Sequence, residues 1–406
     1  MGEPEIAVDP QNSKNLFVDW TTFPHPLAIS GAGANIPNPC GGLVSPNGGV
    51  SWHSVQVPTN HVPYTKGCGD AVAAAGPDGT LYAGGIGVTF TATGGSGPFG
   101  LTIHGQDYVT HSTNWGRTWT PPIETMGSDG QRFATGDPVD TFDRPWLTFD
   151  QSTGTVYAAW PQSRQSRGVR HGIHQQTRIV RSIFPTDSAT YPSEGFSSSN
   201  IVAAHGMLAE AYASSQAPGH TCPCLIFETS TDHGATFTRH IVPTVNGSSS
   251  PEPFLAADPT EKGRFALTIL DSTGTENQVY VSDDSGATWQ GPAIVGENPP
   301  NVRFKPWITF GTSGNLALDW RTQYANGGYD VWSALGHVEG GNGTVFSAPI
   351  RVSSVAAPYP SGYAAGGDFS WIITDAHYAH VGWGDSRNGP VQLWYGRIPV
   401  SSTPKG

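Results

Sequence analysis

Four octapeptides of one pattern, Ser-x-(Asp/Asn)-x-Gly-x-(Thr/Ser)-(Trp/Phe), constrain this chain more than any other feature. They are Ser45–Trp52, Ser112–Trp119, Ser230–Phe237 and Ser282–Trp289. Their starts lie 67, 118 and 52 residues apart, so the middle interval spans two repeats. In such a segment the Asp or Asn side chain caps its own backbone, and the glycine takes a conformation closed to other residues. The aromatic at the end is expected to bury beneath the turn. Each octapeptide therefore predicts a hairpin turn between two strands, and four in register point to a repeat architecture.

A second unit recurs in step with the first. It reads Pro-x-apolar-(Ala/Thr)-x-Asp, then a glycine-containing turn, then an apolar strand often ending in Trp. Its copies are Pro4–Asp9 with Leu16–Trp20, Pro145–Asp150 with Val156–Trp160, Pro253–Asp258 with Phe265–Ile269, and Pro306–Phe310 with Leu316–Trp320. Looser copies are Asp70–Ala74 with Leu81–Ala83 and Asp368–Ile372 with Ala379–Trp383; Ile201–Ala204 with Leu208–Tyr212 is the weakest. Nearly continuous apolar runs such as Val156–Trp160 suit strands buried on both faces. The predicted fold is all-β: a β-propeller of four-stranded antiparallel blades occupying residues 1–406 as a single domain. Seven units predict seven blades, and six is the alternative count if the unit near residue 201 is misread. Within each unit the order is inner, second and third strand, octapeptide turn, outer strand. The last unit ends after three strands, near Leu393–Ile398.

Composition narrows the partners. With 20 basic and 32 acidic residues the formal charge is −12, which argues against nucleic acid or an anionic membrane. No apolar run reaches the roughly 18 residues that span a bilayer. Met1 and Gly2 lead straight into patterned sequence, with no signal peptide in view. Four cysteines still lean toward a secreted, extracellular protein, with a Cys40–Cys68 disulfide expected. His220, Cys222 and Cys224 form a tight cluster that reads as a disulfide or free thiols ahead of a metal site, since no fourth ligand is evident. Asn246 and Asn342 begin glycosylation sequons. The sequence requires no cofactor and leaves a structural calcium or other metal open.

The four octapeptides, with Asp143–Trp146, Gly367–Phe369 and Trp383–Arg387, resemble the Asp boxes and signatures of the bacterial sialidase-like (BNR repeat) superfamily, over essentially the whole chain. The resemblance implies that the Asp boxes lie on the face away from the active site. The opposite mouth would then carry Glu3, Asp70, Asp143, Arg144, Glu252, Arg303, Lys305, Arg321, Asp368, Asp385 and Arg387, under the long loops 21–43, 86–107 and 161–177. A sialidase grips its substrate carboxylate with three arginines, because guanidinium pairs bidentately with it. By order and placement these are Arg144, Arg321 and Arg387, with Arg303 as substitute, and Asp143 and Asp368 stand among the binding residues. Tyr363 is the implied nucleophile, Glu252 its partner, and Asp70 the acid. Two departures stand out. The family's Arg-Ile-Pro motif opens the first blade, whereas here Glu3–Glu5 occupies that place and Arg397–Pro399 comes last. Sialidase catalytic domains also have six blades.

An acidic oligo- or polysaccharide is thus the expected partner, and sialidase-like glycoside hydrolysis the first reading. Seven-bladed polysaccharide lyases of the same superfamily offer a second, in which a His or Tyr abstracts a proton beside a uronate. His171 and His174 in the Arg-rich loop 164–174 are the candidate bases, with His25, His61 and His104 on other loops. A lectin or interaction propeller is the third. It would be expected to repeat its binding residues blade by blade, and these loops differ in length and content.

Overall fold

The computed structural model describes residues 2–21, 41–58, 67–92, 101–124, 141–142, 145–159, 162–163, 177–179, 193–198, 200–214, 216–243, 253–296, 302–339, 343–358, 370–389 and 391–400. They form strands and turns, with no α-helix among them. Seven principal sheets follow one another along the chain.

The first sheet pairs Gly2–Val8, Leu16–Thr21, Gly41–Ser45 and His53–Gln56 in that order, and the second pairs Gly67–Ala75, Leu81–Ala92, Leu101–Ser112 and Ile123–Glu124. The third holds Trp146–Asp150, Thr155–Ala159 and Thr177–Ile179. The fourth has Val202–Ala204, Met207–Ser214, Cys224–Ser230 and Thr238–Val242, with Ser193–Ser198 also paired to its second strand. Phe254–Ala257, Phe265–Leu270, Asn277–Ser282 and Gln290–Val295 make the fifth. The sixth comprises Val302–Phe310, Leu316–Gln323, Tyr329–Val338 and Thr344–Phe346, with Ile350–Arg351 also paired to its third strand, and the seventh Ser370–Thr374, Tyr378–Asp385 and Gln392–Pro399. The weak repeat near residue 201 thus builds a sheet of its own.

The third sheet departs from the antiparallel rule, because Thr177–Ile179 runs parallel to Thr155–Ala159. A parallel neighbour needs a connection of about a dozen residues or more, and residues 160–176 supply it. The short pair Thr141–Phe142 with Gln162–Ser163 stands beside this sheet.

The octapeptide turns sit between third and fourth strands, as their chemistry requires. In each, the leading serine hydroxyl accepts the glycine N–H: Ser45 from Gly49 at 2.8 Å, Ser112 from Gly116 at 2.9 Å, Ser230 from Gly234 at 2.7 Å and Ser282 from Gly286 at 2.8 Å. The Asn or Asp then accepts the N–H of the Ser or Thr four residues on, at 2.8–2.9 Å. Gly286 holds φ +92°, and a Cβ there would be driven into the Phe227 ring. The box aromatics do more than bury under their own turns. Trp119 of the second sheet packs edge-on against Phe17 of the first, and Trp289 of the fifth against Phe227 of the fourth. Trp52 of the first sheet packs against Tyr395 of the seventh. Each stitches its sheet to the preceding one.

The first strands of the sheets neighbour one another in chain order, and the first strand of the seventh sheet neighbours that of the first. Gly2–Val8 pairs within its own sheet, so the first and seventh sheets meet through side chains. Residues from all seven first strands surround a cavity of about 540 Å³. In its wall Trp307 meets Trp371 at a tilt of 33°, centroids 3.9 Å apart, and Trp146 lies 5.5 Å from Trp307.

Candidate functional site

A second, smaller pocket shares Trp146 and Trp371 with this cavity and lies toward the N-terminal ends of the first strands. Glu3, Pro4 and Glu5 of the first sheet, Asp70, Ala71 and Val72 of the second, Pro145, Trp146 and Trp371 form its walls, and its volume is about 30 Å³. Both acidic edges arise from the same local device. A bulge between Gly2 and Glu5 holds Glu3 at φ 52°, and a bulge between Gly69 and Val72 holds Asp70 at φ 41°. Left-handed backbone is uncommon away from glycine, and strain of this kind clusters at functional sites.

Behind the pocket wall, Glu5 stands directly opposite Asp19 across the first two strands. Both are only 2% exposed. Burial raises the Glu5 carboxyl well above its usual range, the Ala73 N–H opposes this, and Asp19 adds to it. Burial likewise raises Asp19, against the hydrogen bond from the Trp20 N–H. Glu5 Oε2 accepts the Ala73 N–H at 2.5 Å, while Oε1 makes no hydrogen bond.

A second polar group joins the sixth and seventh sheets. Arg321, 5% exposed, lies with its guanidinium 5.8 Å from the Tyr329 ring centre. Tyr329 donates its hydroxyl to the Gly384 carbonyl at 2.7 Å. Its phenol is held above the ordinary value by burial, which outweighs the lowering effects of Arg321 and Arg387. Asp319, fully buried, is pushed up to about 7 by desolvation, despite the Ser370 hydroxyl and Arg321 nearby. Arg387 donates through Nε to Asp385 at 2.8 Å and through a terminal nitrogen to the same oxygen. Its guanidinium also stacks 4.1 Å from the Trp394 ring centre and reaches Ser354 at 3.2 Å.

Of the residues singled out in the sequence, Asp70 therefore joins Glu3 at one pocket, and Arg321 and Arg387 both bear on Tyr329. Arg387 is bound into an ion pair in this arrangement. Arg303 and Lys305 lie on the strand Val302–Phe310, with Arg303 opposite Thr322. His104 and Cys68 are on the strands Leu101–Ser112 and Gly67–Ala75. Asp143, Arg144, Glu252, Tyr363, Asp368, His171, His174, His25, His61, Cys40, Asn246 and Asn342 fall outside the described residues. Cys222 and Cys224 are joined by a disulfide, which removes them as thiolate ligands. Among the described residues no cluster of three His, Cys, Asp or Glu is arranged to hold a metal, and no helix is long and apolar enough to cross a membrane.

Glu5, Asp19, Asp319 and Tyr329 were not anticipated as site residues. A sign of two of them was present, since Asp19 and Asp319 are lone acids within the apolar runs Leu16–Trp20 and Leu316–Trp320.

No protein-family model and no curated protein matches the chain. Solved structures do. A protein of unknown function from Dyadobacter fermentans superposes with a TM-score of 0.53 at 14% identity, over 98% of this chain and 94% of that one. An α-L-arabinofuranosidase of Fusarium graminearum aligns with a TM-score of 0.49 at 11% identity, covering 98% and 93%. A sialidase from the Hadza microbiota aligns with a TM-score of 0.48 at 15% identity, covering 88% and 72%. At these identities the likeness is one of fold.

Proposed function

We propose that this chain, sialidase-like in fold, is a seven-bladed propeller that hydrolyses glycosidic bonds of an acidic glycan at the mouth where its first strands begin. The observation that carries the reading is the pocket of Glu3, Glu5 and Asp70 over the Trp146–Trp371 floor. Glycoside hydrolysis needs carboxyl groups held in unlike environments, one to give a proton and one to stay ionised. Two bulged strands bring three carboxyls to one place here, and the Asp19 side chain sets one of them apart from the others. Asp70 serves as the acid of the proposed reaction. Arg321 anchors the substrate carboxylate, with Arg144, Arg303 and Arg387 as further contributors, and Tyr363 with Glu252 supplies the nucleophile. Work on extracellular glycan is part of the same proposal.

The test is a panel of 4-methylumbelliferyl sialoside, the corresponding arabinofuranoside, and a uronate polymer followed for new ultraviolet absorbance. Release from the sialoside, with a loss of roughly 100-fold or more in Asp70→Asn at unchanged thermal stability, is the expected outcome. Release from the arabinofuranoside alone refutes the acidic substrate. Absorbance growing from the polymer refutes hydrolysis in favour of elimination.

A further inference from the structure

The pocket between Glu3, Glu5 and Asp70 has the size of a water site, and Glu5 is part of its wall. Its Oε2 is committed to the Ala73 N–H at 2.5 Å. A carboxyl oxygen that accepts a backbone N–H leaves the acid proton to its twin, so a neutral Glu5 carries its hydrogen on Oε1. That atom is buried and makes no hydrogen bond within the protein. Leaving a buried donor unsatisfied is costly, which favours a partner in the adjoining space. A pocket of about 30 Å³ accommodates about one water. Among the described residues, the ionisable groups around Glu5 are Glu3 on its own strand, Asp19 opposite it, and Asp70 from the second sheet, with the Tyr108 phenol beside Asp19. Pro145, Trp146 and Trp371 stand on the same wall.

We propose that Glu5 acts as a neutral carboxylic acid whose Oε1–H fixes a single water in the mouth pocket, between the carboxyl groups of Glu3 and Asp70. Glu5 is then a positioning residue: it orients a proton-carrying water against the acid Asp70, and no covalent bond to substrate forms. The carboxyl is kept neutral by its burial and by Asp19 facing it, in agreement with its raised titration. The catalytic meaning of this water rests on the hydrolase reading, whereas the water site does not.

The experiment therefore needs no substrate. Crystal structures of the wild-type protein, Glu5→Gln and Glu5→Leu are determined at about pH 6, where a free glutamate is ionised. Gln offers Ala73 an oxygen and the pocket an N–H, so water is expected in wild type and Glu5→Gln and is expected to be lost in Glu5→Leu. In parallel, infrared difference spectra of wild type against Glu5→Gln at the same pH are expected to lose one protonated-carboxyl band. A pocket without water in the wild type overturns the proposal, as does water retained in a folded Glu5→Leu. If Glu5→Leu does not fold, the infrared comparison decides: an unchanged band means an ionised Glu5 and refutes the idea. Failure of every glycan in the panel bears on the hydrolase reading alone.

Discussion

Replacing Asp319 by Asn isolates what a single buried carboxyl does to the stability of this protein. Asp319 is fully buried in the second strand of the sixth sheet, and its pKa stands at about 7 against an ordinary 3.8. Desolvation outweighs the help of Ser370 and Arg321. At about 1.4 kcal/mol per pH unit, that difference is worth on the order of 4 kcal/mol. Because the folded-state value is the higher one, the folded protein binds the proton more tightly than the unfolded chain. The stabilising contribution is complete below about 3.8 and is lost as pH rises through about 7. Urea unfolding of wild type and Asp319→Asn, followed by tryptophan fluorescence from about pH 4 to pH 8, reads this directly. The other buried acids slope in the same direction in both proteins and cancel in the difference, provided they are distant enough to act independently. Wild type should therefore lose on the order of 4 kcal/mol relative to the variant across the window. Parallel stability curves would refute the reasoning, since they require Asp319 to be ionised in the fold at no cost.

Gly286→Ala places a Cβ against the Phe227 ring at a left-handed backbone position; strain and overpacking together should cost about 2–4 kcal/mol, seen as a lowered melting temperature. Arg387→Ala leaves Asp385, 1% exposed, with the Trp383 indole at 3.2 Å and the residue 387 backbone N–H at 2.8 Å as its donors among the described residues. A loss of about 3 kcal/mol is expected from urea unfolding, with Arg387→Lys recovering only part because an ammonium cannot reproduce the fork on Asp385.

The turns and strands of this fold are legible in the chain because their causes are local. A Ser, an Asp or Asn and a Gly within five residues are enough to close an Asp-box hairpin, and the boxes observed follow that wiring. The weak repeat near residue 201 was harder to read, as Val202–Ala204 offers only three residues of first strand. The site is less legible, because its features are made by approach between distant segments. Glu5 meets the Ala73 amide across 68 positions, and Tyr329 meets Gly384 across 55. Nothing in either local stretch announces those meetings. Charge type and order along the chain singled out Asp70, Arg321 and Arg387, which the structure places on the strands Gly67–Ala75 and Leu316–Gln323 and just past Tyr378–Asp385. It did not reveal that Arg387 would pair with Asp385, or that Asp19 would stand directly opposite Glu5. The lone acids in Leu16–Trp20 and Leu316–Trp320 were the available hint, since an apolar strand tolerates a carboxyl only where something specific surrounds it.

The seam between the first and seventh sheets has a consequence for how the molecule is made. Arg397 reaches the Gly48 carbonyl at 2.8 Å, Tyr395 packs on Trp52, and Gly382 lies under Ile6. These partners are separated by nearly the whole chain, and among the described residues no strand is exchanged between the two sheets to hold them in advance. On a ribosome the early sheets must wait, with one flank exposed, until the last strand emerges. The seam then forms at the largest loop-closure cost in the molecule. Its apolar flank, Ile6 and Trp52 above all, is the surface that a nascent or heated chain presents to aggregation first.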